Sequence, residues 1–229
     1  SQKEFWIYLM SHELNKRIIT SVFLIFLLAG MYFYSFIMLS ALIIIALITW
    51  VEFYALISKI VIKDSIKDKV LRFIYKAISL LYLTLLVWFI LYIESYQINL
   101  KVYLLYSILV AILSDIGGLI FGRILKGKKL TKISPNKTIW GSIGSFIFSL
   151  SLILLFSEEL KNYDFSTLVF ITIIISLVSQ LGDLFISFLK RKAKVKDTSN
   201  ILPGHGGFLD RIDGIIFASP IGVILFIIL

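Results

Sequence analysis

The chain has no cysteine among its 229 residues, which excludes disulfides and thiolate metal sites. It has only two histidines, and just 16% of its residues are charged, against about a quarter in soluble domains. No internal repeat, low-complexity segment or soluble domain boundary is evident beyond a general enrichment in Ile, Leu and Phe. What fills the space is apolar. Hydrophobic residues make up 59% of the chain, and the mean hydropathy is +0.96.

Runs of roughly 20 apolar residues recur, the length that crosses a hydrocarbon core of ~30 Å. The expected fold is an all-α, polytopic integral membrane bundle of about seven transmembrane helices. Spans are predicted at 17–35, 37–57, 73–93, 101–122, 139–157, 166–189 and 214–229, with a tight turn near Ser35–Phe36 between the first two. Residues 1–100 would hold an interfacial segment and about three spans, and 101–229 the catalytic helices, in one integrated membrane domain. The start, Gln2 to Asn15, places Phe5, Trp6, Leu9 and Met10 at helical spacing and suits an interfacial helix or a packed terminus. No cleavable signal peptide is expected: the first apolar run lacks a small-residue cleavage site and is followed at once by another span.

A net charge of +9 could indicate nucleic acid, but its distribution argues otherwise, and no nucleic-acid partner is expected. The cations cluster at the N-terminal arm, in the 59–76 and 123–137 loops, and at 190–196, while 94–101 and 157–164 are poor in them. Seven spans put these two sets on opposite sides. The basic loops and the N-terminus are then cytoplasmic. The same charge would attract anionic membrane lipids.

Acidic residues inside spans mark functional or paired sites by default. Glu52, Asp115 and Asp183 qualify. Glu52 is expected to be structural or near an interface, paired with a cation. Asp115 precedes Arg123 by eight residues, and Asp183 precedes Lys190 by seven, so both lie on the order of 10–12 Å below the cytoplasmic ends of their helices. Matching depth suggests one cytoplasm-open cavity. Gly118 and Gly122 have small-xxx-small spacing, which close helix packing explains and which also permits a homodimer. Asp183, Ser187, Lys190 and Lys194 share one helical face, although ordinary flanking accounts for Lys190 to Lys196 equally well.

Downstream, Asp197 precedes Pro203-Gly204-His205-Gly206-Gly207, a turn whose glycines could present amides to a phosphate. Asp210-Arg211-Ile212-Asp213 follows, with carboxylates at i and i+3 that suit Mg²⁺ or complement a helix N-terminus. His205 could carry a proton, donate to a phosphate or make a structural contact, and His12 has no supporting context. Ser134, Lys137 and Thr138 stand before a span that opens with Gly141 and Gly144, a plausible anion site or simple helix punctuation.

Together these clusters resemble the phosphatidate cytidylyltransferase family, the CDP-diglyceride synthases. The family signature runs Ser-x-x-Lys-Arg, four residues, Lys-Asp, a Pro-Gly-His-Gly-Gly turn and Asp-Arg-x-Asp. It is carried here by Ser187, Lys190, Arg191, Lys196, Asp197, Pro203 to Gly207 and Asp210 to Asp213. The blocks around Asp115 and at Ile133 to Thr138 are similar too, so the resemblance covers about the last 115 residues. Trp140 stands where the family commonly has Glu or Gln, and Ser145 replaces a frequent Gly.

The resemblance implies that CTP and phosphatidic acid give CDP-diacylglycerol and pyrophosphate by metal-dependent, in-line nucleotidyl transfer. Asp183 and Asp210 would be the principal ligands of Mg²⁺ or another divalent cation, one ion or two, with Asp197 and Asp213 as further ligands or orienters. Lys190, Arg191, Lys196 and Arg211 would hold phosphates, with His205 beside them. Asp115, Ser134, Lys137, Thr138, Ser187, Gly206 and Gly207 would contact substrate. The setting implied is a bacterial inner membrane with the site facing the cytoplasm. A CTP-dependent lipid kinase and an ion-coupled transporter are the alternatives; the absence of repeats disfavours the second.

Overall fold

The computed structural model describes residues 2–61, 65–131, 133–135, 137–202 and 206–229, with side chains from residue 18 onward except at 98. Its elements are α1 (Gln2–Phe33), α2 (Ser35–Ile60), α3 (Ile66–Tyr96), α4 (Lys101–Leu125), α5 (Ile139–Leu155), α6 (Phe165–Lys192), α7 (Leu209–Ile212) and α8 (Ile215–Ile228). Among the described residues, extended pairing is limited to two isolated bridges, Lys129 with Thr138 and Leu202 with Gly206. Among the described residues, five helical segments are long and apolar enough to cross a membrane: α2, α3, α4, α6 and the α7–α8 stretch from Leu209 to Ile228. The apolar part of α1, Ile18–Phe33, and α5 are shorter. This is an all-α, polytopic membrane protein, and bulky apolar side chains such as Phe26, Trp88 and Leu154 are largely exposed, as a lipid-facing surface requires.

Two local details differ from expectation. The amphipathic start does not stand apart but runs continuously into the first apolar segment within α1. The break between the first two helices falls at Tyr34, whose extended backbone (φ −126°, ψ 108°) interrupts the ladder for one residue. The Tyr34 carbonyl already accepts from the Met38 amide at 3.0 Å, so α2 begins immediately.

The chain forms two compact units. One comprises Ser1–Leu91 with Lys192–Arg211, the other Tyr92–Arg191 with Ile212–Leu229. In the second unit a core of Tyr106, Val110, Leu152, Ile171, Ile175 and Phe226 is almost fully buried. Lipid offers no hydrophobic drive between helices, so close backbone contact and polar cross-links hold them. A Cβ on Gly117 would lie 2.4 Å from the Gly144 carbonyl oxygen, and one on Gly144 would lie 2.4 Å from Phe121. Gly118 and Gly122 face Ser145, Gly141 and Thr138. The small-residue stripe is thus used within the chain, between α4 and α5. Hydroxyls complete the joints: Ser145 donates to the Ser114 carbonyl at 2.6 Å, Ser114 meets Ser176 at 3.0 Å, and Tyr106 meets Thr172 at 2.6 Å.

In the first unit α1 packs on α2 near Gly30 and Ile37. The Trp50 indole donates to the Lys76 carbonyl at 3.4 Å and links α2 to α3. The 192–211 segment returns to this unit, where it is tied to α2.

Candidate active site

In the second unit, α6 carries Asp183 and the junction of α7 and α8 carries Asp213. Two glycines bring α6 and the α7–α8 junction together. A Cβ on Gly182 would come within 2.7 Å of the Asp213 carbonyl oxygen and 2.6 Å of Phe217, and one on Gly214 within 2.3 Å of the Ser179 hydroxyl. With no side chains at those positions, the carboxyl groups of Asp183 and Asp213 meet within hydrogen-bonding reach. Asp115, from α4, and Lys190 lie near enough to act on Asp213 electrostatically. Asp213 is buried, and one of its oxygens accepts from the Gly214 amide at 2.9 Å.

Asp183 has two further partners. Ser187, one turn on, donates to its Oδ1 at 3.3 Å, and Lys137 forms an ion pair with its Oδ2. Lys137 is delivered by the α4–α5 loop, which folds back on itself. Leu130 donates to the Lys137 carbonyl at 2.8 Å and Ile139 to the Lys128 carbonyl at 3.1 Å. The chain leaves α4 through Lys126 and Gly127, both with positive φ. Thr138 caps α5, its hydroxyl oxygen accepting from the Gly141 amide at 3.0 Å. Ser134 helps close the loop, its carbonyl accepting from the Lys137 amide at 3.1 Å.

Two facing carboxyls with a third acid nearby need a proton or a cation between them. Among the described residues, no three acidic or histidine side chains converge as a preformed metal cage. The donor set at Asp183 and Asp213 is two carboxylates, with the Lys137 ammonium against one of them. It fits Mg²⁺, which is commonly held by one or two carboxylates with substrate phosphates and water completing the shell.

The first unit holds the other half of the signature. Glu52, 1% exposed, accepts four hydrogen bonds: from the amides of Phe208 and Leu209 at 2.9 and 2.8 Å, and from the hydroxyls of Thr198 and Ser199 at 2.9 and 2.5 Å. Asp210 Oδ2 accepts from the amides of Thr198 and Gly207 at 2.8 and 3.0 Å and shares with Glu52 the single proton of the Thr198 hydroxyl, 3.0 Å away. The Gly206 amide donates to the Leu202 carbonyl at 3.1 Å. All four amides from 206 to 209 are thus committed to acceptors within the protein. Gly206 has φ +83° and lies against Asp197 and Asp210, while a Cβ on Gly207 would collide with Thr198 at 1.8 Å. These glycines make room for carboxylates to grip the segment.

Asp183, Asp213, Asp115, Lys137, Ser187 and Lys190 thus gather in one unit, and Asp197, Gly206, Gly207 and Asp210 in the other. Arg191, Lys196, Asp197 and Arg211 are exposed. His205, with Pro203 and Gly204, lies outside the described residues. Glu52 is structural, as expected, but its partners are hydroxyls and amides. The signal for it was the acid in an apolar span, whereas nothing in the sequence pointed to Thr198. Of the two departures, Ser145 is accommodated by its bond to Ser114, and Trp140 is half exposed with its ring against Gly127.

Comparison with known proteins shows the family. The family model described as "Cytidylyltransferase family" matches residues 2–229. The phosphatidate cytidylyltransferase of Staphylococcus haemolyticus is 48% identical over 128 residues, 55% of this chain and 49% of that protein. That of Staphylococcus saprophyticus is 46% identical over 128 residues, with the same coverage. That of Rickettsia bellii is 40% identical over 156 residues, 64% of this chain and 67% of that protein. The chain spans about half the length of the two staphylococcal relatives. Matched from end to end of its helical bundle, the chain belongs to the cytidylyltransferase family.

Proposed function

We propose that this chain is a phosphatidate cytidylyltransferase, converting CTP and phosphatidic acid to CDP-diacylglycerol and pyrophosphate. The observation that carries the reading is Asp183, held by Lys137 and Ser187 and faced by Asp213, in a membrane protein of this family. A phosphate oxygen of phosphatidate attacks the α-phosphorus of CTP. A new P–O bond forms as the bond to the β-phosphate bridging oxygen breaks, and pyrophosphate leaves. Phosphate monoesters are anionic at neutral pH, with a second pKa about 6, so no strong general base is needed.

The protein's task is positioning and charge neutralisation. A divalent cation held by Asp183 and Asp213 would neutralise charge on the triphosphate and on departing pyrophosphate. Lys137 and Lys190 supply cations beside that pair, and Ser187 fixes the Asp183 rotamer. Arg191, Lys196 and Arg211 are exposed and would hold phosphates, with Asp197, also exposed, as an orienter. Asp210 acts through the segment it grips, since its Oδ2 already accepts from the amides of Thr198 and Gly207. Ser134 and Thr138 shape the loop that delivers Lys137. The basic loops support a site open to the cytoplasm, and the bacterial relatives support a bacterial inner membrane.

The test uses the whole chain in micelles containing phosphatidate and Mg²⁺, with CTP labelled at either the α- or the γ-phosphate. Cytidylyl transfer puts the α-label into the lipid and releases the γ-label as pyrophosphate. Entry of the γ-label into lipid, with CDP left behind, would make the protein a lipid kinase and overturn the proposal.

A further inference from the structure

We propose that the groove between α2 and α3 binds the phosphate headgroup of an anionic glycerophospholipid, at a site made of none of the signature residues. The groove is open, has a volume of about 600 Å³ and is lined by eight residues of these two helices. Three of the eight are cations, Lys69, Arg72 and Lys76, and none is acidic. At i, i+3 and i+7 they occupy one face of α3. Opposite them stand Trp50 and Tyr54, one turn apart on α2, and the α3 face continues through Phe73 to Leu80.

Flanking lysines alone would be ordinary topology signals. Here one is fixed in place. The Lys76 ammonium sits 3.3 Å above the centre of the Tyr54 ring, and the Lys76 carbonyl accepts from the Trp50 indole at 3.4 Å. The ring face attracts the cation and orients it over the groove wall. Lys76 is therefore a positioned charge on the wall of the groove.

The membrane register identifies the occupant. Residues 77–93 of α3 contain no charged side chain and span about 26 Å, nearly the thickness of the hydrocarbon core. The three cations precede this stretch, at headgroup level, while Leu80 lies within it and Trp50 suits the interface. The groove thus offers cations at one end and aromatic and aliphatic surface at the other. A molecule that satisfies both ends carries a phosphate anion and hydrocarbon together. A soluble phosphate or nucleotide would leave the apolar end uncovered.

The test is native mass spectrometry of the whole chain in mild detergent, titrated with phosphatidylglycerol or with phosphatidylcholine of the same acyl chains. Wild type should retain one phosphatidylglycerol with at least tenfold preference over phosphatidylcholine, undiminished by millimolar inorganic phosphate or glycerol phosphate. The triple variant Lys69→Gln, Arg72→Gln, Lys76→Gln should lose at least tenfold of that retention while remaining monodisperse. Equal retention of the two lipids by wild type would overturn the proposal without any variant. So would displacement of the lipid by inorganic phosphate, which would mark a soluble-anion site, or full retention by the folded triple variant.

Discussion

Glu52 accepts a hydrogen bond from the Leu209 amide at 2.8 Å across 157 positions of sequence. With the Phe208 amide and the hydroxyls of Thr198 and Ser199 on the same carboxylate, one buried side chain on α2 organises the segment leading to Asp210.

Replacing Glu52 with Ala should therefore destabilise the protein by about 3 kcal/mol or more, because hydrogen bonds to a charged group contribute roughly 1.5–3 kcal/mol each and buried donors are left unpaired. Glu52→Gln keeps one acceptor oxygen and should be milder. Thermal unfolding in detergent checks the order. A Glu52→Ala protein as stable as wild type would contradict the organising role.

The α4–α5 contact makes a second prediction. Gly117→Ala places a methyl against the Gly144 backbone and should cost about 1–3 kcal/mol through overpacking. Gly30→Ala would meet only the Ile37 side chain at an ordinary 3.4 Å, and should be neutral or stabilising by roughly 0.5–1 kcal/mol, as expected of a helix interior. Unfolding temperatures of the two variants should move in opposite directions, or Gly30→Ala should stay level.

These cases also show what the sequence could and could not reveal. The apolar runs mark every long helix, because span length is fixed by bilayer thickness. Asp183 stands out for the same reason: an acid in such a run demands a partner. Its pairing with Asp213 was less legible, since it depends on the close approach allowed by Gly182 and Gly214. At Gly206 and Gly207 composition alone did not decide where the amides face. The turn's composition suits amides turned towards a phosphate, yet the Gly206 and Gly207 amides point at Leu202 and Asp210. Spacing records flexibility, and a distant acceptor decides which way an amide faces.

Asp164, exposed just before α6, caps that helix. The hydroxyl of Ser166, then the hydroxyl and amide of Thr167, hold its carboxyl well below the usual carboxylate range. A depressed folded pKa means the cap's contribution is present above the unfolded value near 4 and fades as pH falls through the folded one. The unfolding-temperature difference between wild type and Asp164→Asn should be constant from about pH 5 to 7 and shrink below about 4. A difference that grows on acidification would contradict the cap.

In the proposed mechanism, Asp183 and Asp213 form the reacting centre. The most direct measurement is transfer of the CTP α-label into phosphatidate by wild type, Asp183→Asn and Asp213→Asn, each verified as folded by its unfolding temperature. The account predicts a loss of about a hundredfold or more in each variant, the scale seen when one charge-stabilising group is removed from a transition state. Transfer within a few-fold of wild type in both would contradict it.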